Sequence, residues 1–393
     1  MPLPSTWAVL PFSSGRDVTA DIQVVGRWAL AGAVGLFVIA GGNAAFGSGG
    51  FREMAFSAMP VFFPLGMLTA RVAFAGRGAD ALGKGLFVFL LLNLAVAGLQ
   101  AGLGFGVEGL GRGYFEAVAA HLLDEPVLVD GMGFRPGGLL VSPIWLGEAA
   151  YFVGMALYLR TGRFAYLMLV LAMLGVTVSR SLSLVAVANL LLLATLFKDV
   201  RIFWHLTAVA GLAALAFIGI WALQDVLAGS ELFGARFALN LLNGGDALSV
   251  LRETNSWRYR QEMYAWLASS PQYWMFGGMD PKVIGGLPYI DSEVVMRTLQ
   301  FGMTGLVLFR LPLVGAFWAS RNHRGALMFC VVMLTTTSWL ALSNTVMSNV
   351  YFVNLLGILL AFLLADDGAG RKVDGNGRDG GPAVRVSSGV APR

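Results

Sequence analysis

Charge is what this sequence has least of. Only 13% of its 393 residues are Asp, Glu, Lys or Arg, against about 25% in soluble domains, and its mean hydropathy is +0.71. A chain this apolar is not one soluble core; its apolar runs repeatedly reach the roughly 20 residues with which a helix spans hydrocarbon. Cysteine is nearly absent. Cys330 stands alone inside an apolar run, which excludes an intrachain disulfide and a thiolate cluster and reads as packing. The three histidines, His121, His205 and His323, have none of the close pair spacings of zinc motifs, so neither metal nor cofactor is expected. No basic run interleaved with aromatics appears, and nucleic acid is not an expected partner. Alternating segments of about 10 residues, the mark of a membrane β-barrel, are missing as well. The first residues, MPLPSTWAVLPFSSGRDVTADIQ, lack a basic stretch before an apolar one; the expectation is that the first span itself directs insertion, with no cleaved signal.

What is present is a series of helical spans. Apolar length and flanking charge place about ten of them, starting near Val24, Ala55, Gly85, Gly138, Phe164, Ser183, Phe203, Ser292, Ala326 and Val350. The fold class expected is therefore all-α: a polytopic bundle over residues 1–365. Arg71, Arg77, Lys84, Arg160, Arg163, Lys198, Arg201, Arg321 and Arg324 all fall in loops on one side, which the positive-inside rule makes cytoplasmic. An even number of spans puts both termini there. Two long loops, from about Val107 to Pro136 and from about Asp225 to Asp291, then face the opposite, periplasmic side of a bacterial inner membrane. Each holds helix-like stretches, such as Tyr114 to Leu123, expected to lie along the membrane surface. Residues 366–393 are polar and Gly-rich, and are expected to be a disordered cytoplasmic tail.

In an apolar bundle the informative residues are polar ones, because each is costly in hydrocarbon unless it meets a cavity or a partner. Arg180 opens a span at the periplasmic boundary; it reads either as a cation for an anionic ligand or as an arginine snorkelling to headgroups. In DSEVVMRTLQFGMTGLVLF, Glu293, Arg297, Gln300 and Thr304 recur at i, i+4, i+7 and i+11. A continuous helix brings these four within roughly 60° of one another. They are read as one stripe lining a wet cleft, the bland alternative being an i, i+4 ion pair of Glu293 with Arg297. In NSWRYRQEMYAWLASSP the period places Arg260 with Met263, Tyr264 and Leu267, whereas Arg258 pairs with Glu262 on a solvated face. Arg260 is the residue that needs a reason. Glu148 inside the fourth span reads as a proton-handling acid or an interhelical hydrogen bond, and TTTSWLALSNTVMSN as a polar cleft lining or small-residue packing.

At these same residues the sequence resembles the O-antigen polymerase and ligase superfamily, membrane glycosyltransferases that join polyprenyl-linked sugars. Three stretches carry the resemblance: Ser179-Arg180 opening a span; a loop helix led by Arg260 and ending in Pro271 and Gly277; and the loop exit leading to Phe301-Gly302 and Gly305. Ligases of the superfamily usually carry a histidine at that exit, where this chain has Asp291, Ser292 and Glu293. The departure favours a Wzy-type polysaccharide polymerase over a ligase; a multispan transporter or flippase is the reading from another class. The resemblance implies a metal-independent enzyme with undecaprenyl-diphosphate-linked oligosaccharides as substrates, working in the bilayer with a chain-length regulator and a flippase. It implies diphosphate binding by Arg180, Arg260 and Arg297, and proton transfer by Glu293 or Asp291. Gln300, Thr304 and Glu148 would line the cleft.

Overall fold

A computed structural model describes residues 18–46, 51–73, 78–102, 138–140, 143–177, 179–222, 255–278, 292–342, 347 and 349–365. The described residues are helical and contain no strand. In chain order the helices are α1 (Val18–Ala45), α2 (Phe51–Phe56), α3 (Phe62–Ala73), α4 (Gly78–Gly102), α5 (Pro143–Thr161) and α6 (Phe164–Thr177). They continue with α7 (Arg180–Phe197), α8 (Val200–Ala222), α9 (Asn255–Ala268), α10 (Glu293–Ser320), α11 (Arg324–Leu340) and α12 (Val350–Leu364). Each expected span start falls on a helix or on the turn that opens one, and α6 and α12 begin at Phe164 and Val350 themselves. The second span is composite: Pro60 and Pro64 divide it into α2, a 3₁₀ turn and α3. Among the described residues four helical stretches, Thr19–Ala45, Glu53–Ala73, Gly78–Gln100 and Glu293–Ser320, are long and apolar enough to cross a membrane, and several shorter apolar helices accompany them. The expected loop 107–136, with its helix Tyr114 to Leu123, and the tail 366–393 lie outside the described residues, as does 225–291 except for 255–278.

The helix at the centre is α5. Every residue from Leu146 to Leu159 is buried, and it touches α4, α6, α11 and α12. A helix apolar all round is stable only when other helices or lipid surround it. Between helices in lipid there is little hydrophobic drive, so close approach through small residues takes its place. Gly66 and Gly357 supply it between α3 and α12. A Cβ on Gly66 would overlap the Asn354 carbonyl, and one on Gly357 the Phe63 carbonyl. Polar groups are used sparingly and are satisfied in pairs. Asn189 on α7 donates to Tyr151 Oη (2.6 Å) and Thr336 Oγ1 (2.8 Å), and its carbonyl oxygen accepts from Thr335. The threonine-rich run thus binds α11 to α5 and α7, which settles part of it as interhelical packing.

The short turns of the bundle gather at one end. Arg324 Nη2 donates to the Phe197 carbonyl (2.9 Å) and to Asp199 (3.2 Å), and Asp199 also pairs with Arg201 at 3.7 Å. Arg160 donates to the Phe362 and Ala365 carbonyls and lies 4.5 Å over the Phe362 ring. These arginines meet the unsatisfied carbonyls at the C-termini of α7 and α12, where the helix dipole is negative. Arg160, Arg201 and Arg324, three of the basic residues that the sequence assigned to one side, therefore share an end, and Arg77 lies outside the described residues.

Gly357→Ala should lower the melting temperature of the detergent-solubilised protein substantially, because the added methyl must push α12 away from α3; overpacking of this kind costs about 1–3 kcal/mol. Gly85, on the exposed side of α4 with nothing within 4 Å of its Cβ position, is the control. Gly85→Ala should be neutral or stabilising, since alanine is the better helix former. Equal melting temperatures for the two variants would refute the close approach.

Candidate functional site

At the end away from the basic turns, the first residues of α10 are held from two sides. Ser292 caps the helix: its Oγ accepts from Val295 N–H (3.4 Å) and donates to the Ala341 carbonyl (3.1 Å). Val294 N–H donates to the same carbonyl, which fastens α10 to the end of α11. Tyr264 of α9 reaches Ser292 Oγ and the Leu342 carbonyl, each at 3.0 Å. Beneath it, Met263 packs with Val295 and Leu299, and Tyr264 and Leu267 adjoin them. The face of α9 that the period assigned to Met263, Tyr264 and Leu267 is thus the face that meets α10. Arg260 stands one turn earlier in α9; its side chain and those of Arg258 and Arg180 lie outside the described residues, as does Asp291.

α10 is not one continuous helix. At Gly302 the backbone turns to φ 71° and ψ −177°, a conformation that a side chain would strain. The reason lies in the segment after α9. A 3₁₀ turn at Pro271–Tyr273 leads the chain back so that its backbone rests on the break. A Cβ on Gly302 would overlap the Met275 carbonyl, and one on Gly277 the backbone between Gln300 and Phe301. Met303 N–H donates to the Trp274 carbonyl (2.6 Å) and Gly278 N–H to the Gln300 carbonyl (3.3 Å). Asn43, near the end of α1, donates Nδ2 to both the Phe276 and Gln300 carbonyls, at 3.0 and 3.1 Å. The groups freed by the break are thereby bonded again, as they must be where water is scarce. Pro271 with Gly277, and Phe301 with Gly302, are two of the three stretches on which the resemblance rests, and here they are in contact.

Behind this junction lie the charges. Glu293 is fully buried; its Oε2 accepts from Met347 N–H at 2.9 Å, and its Oε1 is buried with no hydrogen-bond partner. Arg297 is fully buried too, with its guanidinium 4.6 Å from the rings of both Phe56 and Phe309 and Nη1 donating to Gln300 Oε1 (2.7 Å). The i, i+4 alternative gives way to this arrangement. Contact with Phe309, twelve residues on, reflects the fold-back at Gly302. Gln300 is buried beside Arg297, whereas Thr304 is half-buried beyond the break, so the constant helical period does not carry the stripe as far as Thr304. Glu148 is buried in α5; the neighbouring Gly147 packs on Ser179 and Thr177, which sets Glu148 near the start of α7, where Arg180 stands.

Sequence reasoning passed over four residues at this site. Phe56 and Asn43 carried no signal, and buried Glu53 lies one turn before Phe56 on α2. Arg310 did carry one, as an arginine inside the apolar run LVLFRLPLVG. It donates to Thr337 Oγ1 and to the Thr337 carbonyl, one turn before the Ala341 whose carbonyl accepts from Val294 N–H, next to Glu293.

The junction predicts coupled stabilities. Asn43→Ala removes the side-chain donor to the Phe276 carbonyl and one of the two donors to the Gln300 carbonyl, a loss of about 1–3 kcal/mol, and Gly302→Ala introduces both strain and overlap. Because both variants open the same contact, the double variant should lose clearly less than the sum of the two single losses. Additive shifts in thermal unfolding would show that the two residues act independently. No protein-family model matches the chain, and no curated protein matches it either.

Proposed function

We propose that the chain is a membrane glycosyltransferase that polymerises polyprenyl-diphosphate-linked oligosaccharide repeat units at the periplasmic face of a bacterial inner membrane, with about ten spans and both termini in the cytoplasm. The observation that carries this reading is the junction at Gly302. Two of the stretches that resemble the superfamily meet there in backbone contact and hold a buried carboxylate beside two arginines, at the end away from the basic turns.

In this reading the acceptor sugar's hydroxyl attacks the anomeric carbon of the donor glycan. The new glycosidic bond forms as the bond to the diphosphate breaks, and Glu293 takes the hydroxyl proton. A buried carboxylate oxygen without a partner, as Oε1 is, offers a hydroxyl donor a hydrogen bond that the resting protein leaves unmade. Asp291 is the alternative base. Arg180 and Arg260 bind the departing diphosphate, whose negative charge grows in the transition state and suits planar guanidinium. Arg297, between two rings, orders the site instead of meeting substrate. A transporter is the second reading, favoured by the broken helix with charges beside it; it predicts movement of a lipid-linked sugar across vesicles with no new glycosidic bond.

Two measurements test the proposal. With purified lipid-linked repeats as substrate, Glu293→Gln should slow chain extension by about 10²–10⁴-fold, the usual contribution of a general base, while melting as the parent protein does. Full extension by this variant would remove Glu293 from the chemistry. Orientation is tested by impermeant thiol reagents on intact cells. Cys330 is buried and should stay silent. Gln272→Cys, exposed near the junction, should react, and Asn322→Cys, exposed in the basic turn, should react only after the membrane is opened. The reverse pattern would invert the topology.

A further inference from the structure

Exposed aromatic side chains mark two levels of the bundle. At the basic end, Trp204 lies near the start of α8 and Trp318 near the end of α10, with the Arg321 guanidinium 4.6 Å from the Trp318 ring. At the opposite end, Trp221 lies near the end of α8, Trp339 near the end of α11 and Tyr351 at the start of α12, and all three are exposed. At 1.5 Å per residue Trp204 and Trp221 are about 26 Å apart along α8, close to the roughly 30 Å of a bilayer's hydrocarbon. Tryptophan and tyrosine gather at both interfaces of a membrane because each joins an apolar ring to a polar tip.

Gly302 stands at the level away from the basic turns as well, about 27 Å from Ser320 along α10. From there Met303, Val307, Val314 and Trp318 fall within roughly 60° of one another on the helix, and all four are exposed. This apolar stripe is the side of α10 that faces lipid. The segment resting on the break continues it. Trp274, Met275 and Phe276 are 44%, 61% and 57% exposed, and the Trp274 carbonyl holds Met303 N–H. Large apolar side chains exposed together mark an interaction surface. Their backbone suits an apolar partner: the carbonyls of Tyr273, Trp274 and Phe276 accept from Gly277 N–H, Met303 N–H and Asn43 Nδ2. Trp274 Nε1 already donates to the Leu267 carbonyl at 2.8 Å. Irregular backbone enters the edge of a membrane only where the protein itself satisfies its polar groups. Ser269 and Gln272, exposed on the approach from α9, are polar, so the surface changes from wet to apolar within two residues of Trp274.

We infer that residues 274–276 form an apolar tip set into the bilayer interface at the end away from the basic turns, at the level of the headgroups and the first acyl carbons. Lipid is the occupant that fits. The tip prolongs the lipid-facing stripe of α10 through Met303, and it stands level with the exposed rings of Trp221, Trp339 and Tyr351. A second copy of the chain would have to cover the tip and leave the stripe below it to lipid. The inference needs a membrane-spanning chain and no particular reaction.

The test maps what surrounds the tip. Gln272→Cys, Met275→Cys and Phe276→Cys are each spin-labelled in detergent, where buried Cys330 stays unlabelled, and the protein is returned to phosphatidylcholine nanodiscs. Val307→Cys on the stripe supplies the value for lipid. Collisions with oxygen, which concentrates among acyl chains, should be several-fold more frequent at positions 275 and 276 than at 272 and should approach those at 307. Collisions with a water-soluble nickel chelate should be several-fold rarer at 275 and 276 than at 272. The two tip positions are read independently, so the loss of one labelled variant leaves the test in place. Nickel access at 275 and 276 equal to that at 272 would put the tip in water and overturn the inference. Low access to both reagents would overturn it too, because the tip would then be covered by protein, a second copy included.

Discussion

The contact of one peptide backbone on another at Gly277 and Gly302 is the constraint from which the site follows. A helix that crosses hydrocarbon has no reason to break, because each freed carbonyl and N–H costs several kcal/mol away from water. α10 breaks because other groups take over: Gly278 and Asn43 serve the Gln300 carbonyl, and the Trp274 carbonyl serves Met303 N–H. Only glycine on both sides lets the chains approach so closely. The break folds the first turns of α10 back, so that Arg297 meets Phe309. It also brings Val294, next to Glu293, to the Ala341 carbonyl, one turn from the Thr337 on which Arg310, seventeen residues after Glu293, ends.

The bundle was largely legible in the sequence. Span starts read from hydropathy fell at or within turns of real helices because apolar length and flanking charge are local properties of the chain. The face of α9 was legible for the same reason. Met263, Tyr264 and Leu267 form an i, i+1, i+4 set in an unbroken helix, and they do pack on α10. The stripe on α10 was legible only to Gln300. Its extension to Thr304 assumed a constant 100° per residue, and Gly302 resets that phase. The same assumption hid Arg310, which lies about 100° away from Glu293 on a continuous helix. No local pattern announces a break imposed by a segment some twenty-five residues upstream.

The fates of the polar residues separate structure from chemistry. Asn189, Tyr151, Thr335 and Thr336 use one another up, and their arrangement needs no ligand. Arg160 and Arg324 end on helix carbonyls at the basic end, which is again a complete account. Arg297 is held by two rings and an amide. A sequence reader weighing intramembrane charges equally would give Arg297 and Arg310 the same prior, and yet their surroundings differ: Arg297 lies between two rings and Arg310 against Thr337.

Among the described residues Glu293 keeps a buried oxygen without a donor, and the hydrogen bonds of Arg310 go to Thr337. Were the two merely a structural pair, direct contact would be the less costly arrangement, since each would relieve the other's desolvation. Instead each is anchored elsewhere, Glu293 by Met347 N–H and Arg310 by Thr337. Anchors of this kind hold opposite charges near each other without letting them collapse. A group that can donate to the carboxylate and accept from the guanidinium completes both. Under the proposed function, the acceptor sugar's hydroxyl is the group that donates to the carboxylate.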